Sequence, residues 1–149
     1  METPRTEPVT VRPSPRLAPR RMRAVVAEDD RAFREDIVRA LRRDGFEVLE
    51  VPDGRRLLSV VLPLLEAEAQ GGHGVDLVIA DVCMPGLDGI EAVESIRFAT
   101  EDLPILIMTG FGDDDVRGRV FALGAAYLDK PFDLDDLRAM AISLVARSR

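Results

Sequence analysis

Val75-Asp76-Leu77-Val78-Ile79-Ala80 is an almost unbroken apolar run that stops at Asp81. Bounded by Gly74 before it and a turn-rich segment after it, the run reads as a strand covered on both faces, the kind a parallel sheet requires. The same pattern recurs on either side. Upstream, residues 23–27 are apolar and β-branched, and Phe33, Ile37 and Leu41 then repeat at helical spacing until Gly45. Residues 46–51 alternate like a strand. A long helical stretch follows over 53–70 with Leu57, Leu58, Val61, Leu62 and Leu65, in which Pro63 is expected to force a kink or a restart. Gly71, Gly72 and Gly74 break the chain before Val75. Downstream, helices are expected near 89–99, 113–123 and 134–146, separated by strands at 103–108 and 125–129. Five strand–helix alternations predict an α/β domain, a doubly wound parallel sheet with helices on both faces.

At 149 residues and 16.4 kDa the chain has the length of one domain. It can bury roughly 68% of the surface its unfolded form exposes, with no disulfide or metal staple. An apolar fraction of 46% and a charged fraction of 32% exclude collagenous, membrane and wholly disordered classes. The single cysteine, Cys83, gives no sign of an oxidising compartment. The longest apolar-rich run, 57–65, contains Ser59 and Pro63 and is too short to cross a bilayer. Arg20-Arg21 leads into Glu28-Asp29-Asp30 rather than the apolar stretch of an export signal, so a cytoplasmic protein is expected.

Charge marks a boundary. Residues 1–22 hold five of the ten prolines and few large apolar groups, and residues 1–23 set six arginines against Glu2 and Glu7. That net of +4, within a chain total of −7, leaves −11 on the body. Such a segment cannot bury enough surface to offset its ordering entropy, so residues 1–22 read as a flexible basic arm ahead of a domain at 23–149. The acidic body argues against a nucleic-acid surface on the domain.

In open α/β sheets, ligands bind beyond the carboxyl ends of the strands. There the first predicted strand delivers Glu28-Asp29-Asp30, the third Asp81, the fourth Thr109-Gly110 and the fifth Lys130-Pro131. Lys130 is the one lysine among nineteen arginines, a hint of a place where a compact ammonium works and a planar guanidinium does not. Two carboxylates about 4 Å apart repel by roughly 4 kcal/mol at an effective dielectric near 20. One ammonium is too little for three acids, and a hard divalent ion such as Mg²⁺, which takes one or two carboxylates and keeps water for a phosphate, is the natural remedy. Plainer roles suit other residues. Asp30 reads as the N-cap of the first helix, and Asp88 with Glu91 as the cap of the third. Asp113-Asp114-Asp115 complements the dipole of the fourth helix, which Gly118 loosens. His73 lies in a glycine-rich loop, where a metal or catalytic role is not expected, and the Cys83 thiol reads as inert.

The segment Asp81-Val82-Cys83-Met84-Pro85-Gly86-Leu87-Asp88-Gly89 resembles the phosphoacceptor loop of the response-regulator receiver family. Three further motifs agree in order: Val25-Val26-Ala27-Glu28-Asp29-Asp30 is similar to the family's acidic pocket, Thr109 to its hydroxyl residue, and Tyr127-Leu128-Asp129-Lys130-Pro131-Phe132 to its switch aromatic and lysine. The resemblance covers all but the arm. It implies a flavodoxin-like (βα)5 fold with strand order 2-1-3-4-5, in which Asp81 accepts a phosphoryl group from a kinase phosphohistidine. It further implies Mg²⁺ between Asp29, Asp81 and the backbone carbonyl of Cys83, with Glu28 holding it through water. Lys130, the Thr109 hydroxyl and the Gly110 amide would bind the phosphoryl oxygens. Tyr127 would rotate inward as Thr109 is drawn to the phosphate, repacking the surface of helix four, strand five and helix five. Three features depart from the pattern: the long 53–74 region, Arg31 where many relatives carry proline, and the arm.

The expected function is that of a stand-alone receiver, a phosphorylation-controlled switch supplied by a histidine kinase or phosphotransfer protein. No stretch remains for a DNA-binding domain, so output is expected through a downstream protein target, through a homodimer, or as a phosphate sink. Two competitors stand beside it. A small Mg²⁺-dependent phosphohydrolase would want a second acid two residues after the nucleophile, where Cys83 stands. A phosphorylation-independent docking module would have no use for intact Glu28, Asp29, Asp81, Thr109 and Lys130.

Overall fold

The computed structural model describes residues 20–84, 88–110 and 114–148. Most of the expected arm, residues 85–87 of the expected phosphoacceptor loop and residues 111–113 lie outside these residues. Strands β1 (Arg23–Ala27), β2 (Glu47–Val51), β3 (Leu77–Asp81), β4 (Ile105–Thr109) and β5 (Ala126–Asp129) alternate with helices α1 (Arg31–Arg43), α2 (Gly54–Ala69), α3 (Gly89–Ala99), α4 (Asp114–Ala122) and α5 (Leu134–Arg147). The sheet is parallel throughout, in the order β2-β1-β3-β4-β5.

The two-residue period of the strands explains the layers. Val25, Ala27, Val78, Ala80, Ile105 and Ile107 face α2, α3 and α4, where Leu57, Val61, Val93, Ile96 and Val120 complete one core. The alternate residues Ala24, Val26, Leu77, Ile79, Leu106 and Met108 face α1 and α5, against Ile37, Leu41, Leu137, Ala141 and Val145. Central strands β3 and β4 are buried along their whole length, which is why they read as continuous apolar runs. Edge strand β5 is half exposed.

Helix ends follow their caps. The Asp30, Asp53 and Asp88 carboxylates accept from the N–H groups of Phe33, Arg56 and Glu91. Gly45 turns the chain after α1 with φ +92°, a conformation that disfavours a side chain. Two sequence expectations shift. Helix α2 passes through Pro63 without ending: the proline and Ser59, whose carbonyl loses its N–H partner, are both exposed, so water can replace the lost bond. Strands β3 and β4 begin two residues later than their apolar runs and extend one residue further. Asp81 and Thr109 are thereby the last ladder residues, and Asp81 pairs with Met108 and Thr109 with Asp129. Met22, at the end of the expected arm, packs against the α1–α5 core, and its carbonyl accepts from the Glu47 N–H at 2.9 Å.

Candidate functional site

All the chemistry-bearing strand ends meet at one rim of the sheet. Glu28 continues β1, its backbone N–H donating to the Val51 carbonyl at 3.1 Å, and the residue is only 1% exposed. Arg34 of α1 holds this corner by donating to the Glu28 carbonyl at 2.8 Å and pairing with Glu50 at 3.3 Å. The Asp30 N–H donates to Glu28 Oε1 at 3.2 Å while the Asp30 carboxylate caps α1, and Asp29 between them is exposed. The cap assigned to Asp30 from sequence is therefore what the structure contains.

Asp81, 3% exposed, closes β3. Its Oδ1 accepts from the Cys83 N–H at 3.0 Å and its Oδ2 from Lys130 Nζ at 2.6 Å. The Asp88-Gly89 pair now has a physical explanation. Asp88 caps α3 through the Glu91 N–H at 2.8 Å, and a Cβ at Gly89 would lie 1.9 Å from the Asp81 carbonyl oxygen. Only glycine lets α3 begin against the end of β3. Lys130, before a cis peptide to Pro131, also reaches Glu28 Oε2 at 3.4 Å and stands 5.0 Å from the centroid of the Phe33 ring. Phe33 packs in turn on Phe132, 5.8 Å between centroids. An open slot of about 620 Å³ runs over these groups, lined by Glu28, Asp30, Phe33, Gly110, Lys130, Pro131 and Phe132.

Carboxylate oxygens of Glu28, Asp29 and Asp81 lie within 4.8 Å of one another. Burial, and then the hydrogen bond and charge of Asp81, push the Glu28 carboxyl up to about 8 against the opposing pull of Lys130 and the Asp30 N–H. For Lys130, burial works against the charged form, but Asp81 and Glu28 outweigh it and raise the ammonium above its ordinary value. A buried acid driven toward neutrality beside an already paired lysine marks a donor set with more negative charge than one ammonium balances. Three oxygen donors at this spacing fit Mg²⁺.

Thr109, 2% exposed, closes β4. Its hydroxyl lies 2.7 Å from Tyr127 Oη and 3.2 Å from Asp129 Oδ1, and Tyr127 Oη donates to the same Asp129 oxygen. Arg117 of α4 places Nη2 3.1 Å from Asp129 Oδ2 and Nε 3.3 Å from Tyr127 Oη. The Tyr127 phenol, then burial, then the Thr109 hydroxyl and Arg117 act on the Asp129 carboxyl, and the net is a value below the usual carboxylate range.

The sequence profile describing the response regulator receiver domain matches residues 24–142. The chain belongs to the response regulator receiver family. Among curated relatives, Response regulator MprA of Mycolicibacterium vanbaalenii is 38% identical over 130 residues, 85% of this chain and 52% of that protein. Transcriptional activator protein PfeR of Pseudomonas aeruginosa is 38% identical over 138 residues, 92% of this chain and 40% of that protein. This chain thus spans about half the length of the relatives it matches. Among solved structures, a response regulator receiver domain protein from Clostridium thermocellum superposes with a TM-score of 0.72 at 28% identity, covering 85% of this chain and 95% of that one. Vibrio cholerae chemotaxis protein CheY4 does so with a TM-score of 0.69 at 27% identity, covering 84% and 99%. A receiver is a phosphoacceptor signalling domain rather than a conventional enzyme, and the Glu28, Asp29 and Asp81 cluster matches the Mg²⁺-coordinating site typical of the family. No helix among the described residues is long and apolar enough to cross a membrane.

Sequence reasoning brought Glu28, Asp29, Asp81 and Lys130 to one place, and the structure unites them. It set Thr109 and Tyr127 together, and they touch. His73 lies elsewhere, its Nε2 4.0 Å from Asp76 ahead of β3. Arg34, Phe33, Phe132, Arg117 and Asp129 escaped notice as contributors to the site. For Asp129 a signal existed: it stands two residues after Tyr127, on the same side of the strand.

Proposed function

We propose that Asp81 of this receiver accepts a phosphoryl group from the phosphohistidine of a histidine kinase or phosphotransfer protein, in the cytoplasm. The observation that carries the reading is the Asp81 carboxylate itself, buried at a strand end and held by Lys130 at 2.6 Å within 4.8 Å reach of two further acids. A carboxylate oxygen attacks phosphorus, the P–N bond breaks, and the imidazole leaves with the electron pair and takes up a proton. Asp29, Asp81 and the Cys83 carbonyl would hold Mg²⁺, with Glu28 acting through water, and the bound ion supplies charge neutralisation for the transferring group. Lys130 moves from the carboxylate to the phosphoryl oxygens, joined by the Thr109 hydroxyl and the Gly110 amide. Departure of Thr109 from Tyr127 then repacks α4, β5 and α5. Phe121 of α4 and Ile142 of α5 are large apolar residues left exposed on those elements, which suits a surface that binds a protein partner or a second copy in the phosphorylated form.

Incubation with acetyl phosphate and Mg²⁺ followed by intact-mass measurement tests this. One phosphoryl adduct on the wild type and none on Asp81→Asn is the expected result. Catalytic turnover of varied phosphomonoesters would instead indicate a phosphohydrolase, and an unmodified wild type a docking module.

A further inference from the structure

We infer that Asp129, braced by Arg117, is a positioning residue that holds the Thr109 hydroxyl in a resting arrangement and so sets how readily Asp81 is phosphorylated. The inference rests on the phosphoacceptor reading of Asp81. It starts from proton bookkeeping. A threonine hydroxyl carries one proton, a phenol one, and an ionised carboxylate only accepts. Thr109 Oγ1, Tyr127 Oη and Asp129 Oδ1 form a closed triangle in which both protons are used: Tyr127 donates to the carboxylate, and Thr109 donates into the same pair of oxygens. To donate to a phosphoryl oxygen, Thr109 must give up that bond.

The triangle exists because of the sheet register. Thr109 and Asp129 are direct partners on β4 and β5, and Tyr127 lies on the same side of β5 two residues earlier. The second carboxylate oxygen is not idle. Arg117 donates to Oδ2 at 3.1 Å and sets its guanidinium carbon 5.3 Å from the Tyr127 ring centroid, so α4 is fastened to the strand end by the same acid that engages the threonine. Both side chains of the ion pair are about half exposed, at 50% and 48%. Solvent screening therefore keeps the contact weak enough to open, which suits a brake and not a permanent lock. Asp129 also adjoins Lys130, so the end of β5 carries the group that restrains Thr109 directly before the cation that meets the phosphate.

The chain's chemistry supplies a direct probe. It has one tyrosine and no tryptophan, so its intrinsic emission comes from Tyr127 alone, and hydrogen bonding of a phenol to a carboxylate quenches that emission. Wild type, Asp129→Ala, Asp129→Asn and Arg117→Gln would be compared for emission, for the rate of adduct formation with acetyl phosphate at saturating Mg²⁺, and for the Mg²⁺ concentration giving half the maximal rate. Both Asp129 variants should emit more strongly and phosphorylate roughly three- to tenfold faster, the scale of one partly screened charge-assisted hydrogen bond. Arg117→Gln should fall between them and the wild type. The half-saturating Mg²⁺ concentration should stay unchanged, which a general distortion of the site would not allow. Wild-type adduct formation with equal or slower rates in both Asp129 variants overturns the brake alone. A wild type that forms no adduct overturns the phosphoacceptor reading and the brake with it.

Discussion

Replacing Glu28 with glutamine should flatten the pH dependence of folding stability in the metal-free protein. The Glu28 carboxyl is pushed up to about 8 in the folded chain by burial and by Asp81, from an ordinary 4.5. Between those values the native state binds a proton that the unfolded chain has released. The contribution is therefore fully present below about pH 4.5 and is lost as pH rises through 8. The slope reaches roughly 1.4 kcal/mol per pH unit, and the whole loss is on the order of a few kcal/mol. Glutamine cannot ionise and carries no such term. Urea denaturation in the presence of a chelator, at steps from pH 4.5 to 8.5, should give two curves that meet at the acid end and diverge toward the alkaline end, with Glu28→Gln the more stable. Adding Mg²⁺ at the alkaline end should then raise the wild type more than the variant, since the ion supplies the missing countercharge. Parallel curves for the two proteins would refute the reasoning, for they would mean that Glu28 titrates alike in the folded and unfolded chains.

Two further outcomes follow from neighbouring contacts. Gly89→Ala places a Cβ 1.9 Å from the Asp81 carbonyl oxygen, so α3 must back away from β3; a loss of about 3 kcal/mol in urea unfolding is expected, together with slower adduct formation. Arg34→Ala removes the 2.8 Å donor to the Glu28 carbonyl and the Glu50 partner; about 1 kcal/mol of stability should go, and Mg²⁺ titration should show weaker binding, because the backbone carrying Glu28 and Asp29 is no longer pinned to α1.

Strand–helix alternation was legible because β3 and β4 are buried on both faces, so each is an uninterrupted apolar run that ends in a polar residue. Asp81 stood out for the same reason, at the end of the β3 run, Glu28 and Asp29 as the acids directly after the apolar 23–27 segment, and Lys130 as the one lysine in the chain. The run of α2 through Pro63 could not be read, since whether a proline ends a helix depends on whether the carbonyl it leaves unpaired faces water or the core. Nor could the exact ladder ends, because Val75 and Leu103 are buried without belonging to a strand.

The sequence by itself determined the strand–helix alternation and hence that acids, a hydroxyl and one ammonium, lying at or beside the strand ends, would meet at a single rim, since apolar periodicity marks out each extended segment even where its last ladder residue is not legible. Only the tertiary structure decided how those groups are coupled. Glu28 is an ordinary acid until burial against Asp81 raises it toward neutrality. Asp129 is an ordinary strand-end residue until β5 pairs in register with β4 and α4 lays Arg117 across it. Such couplings arise between atoms twelve to a hundred residues apart in the chain, and their strength depends on distance and solvent exposure, which no stretch of sequence carries within itself.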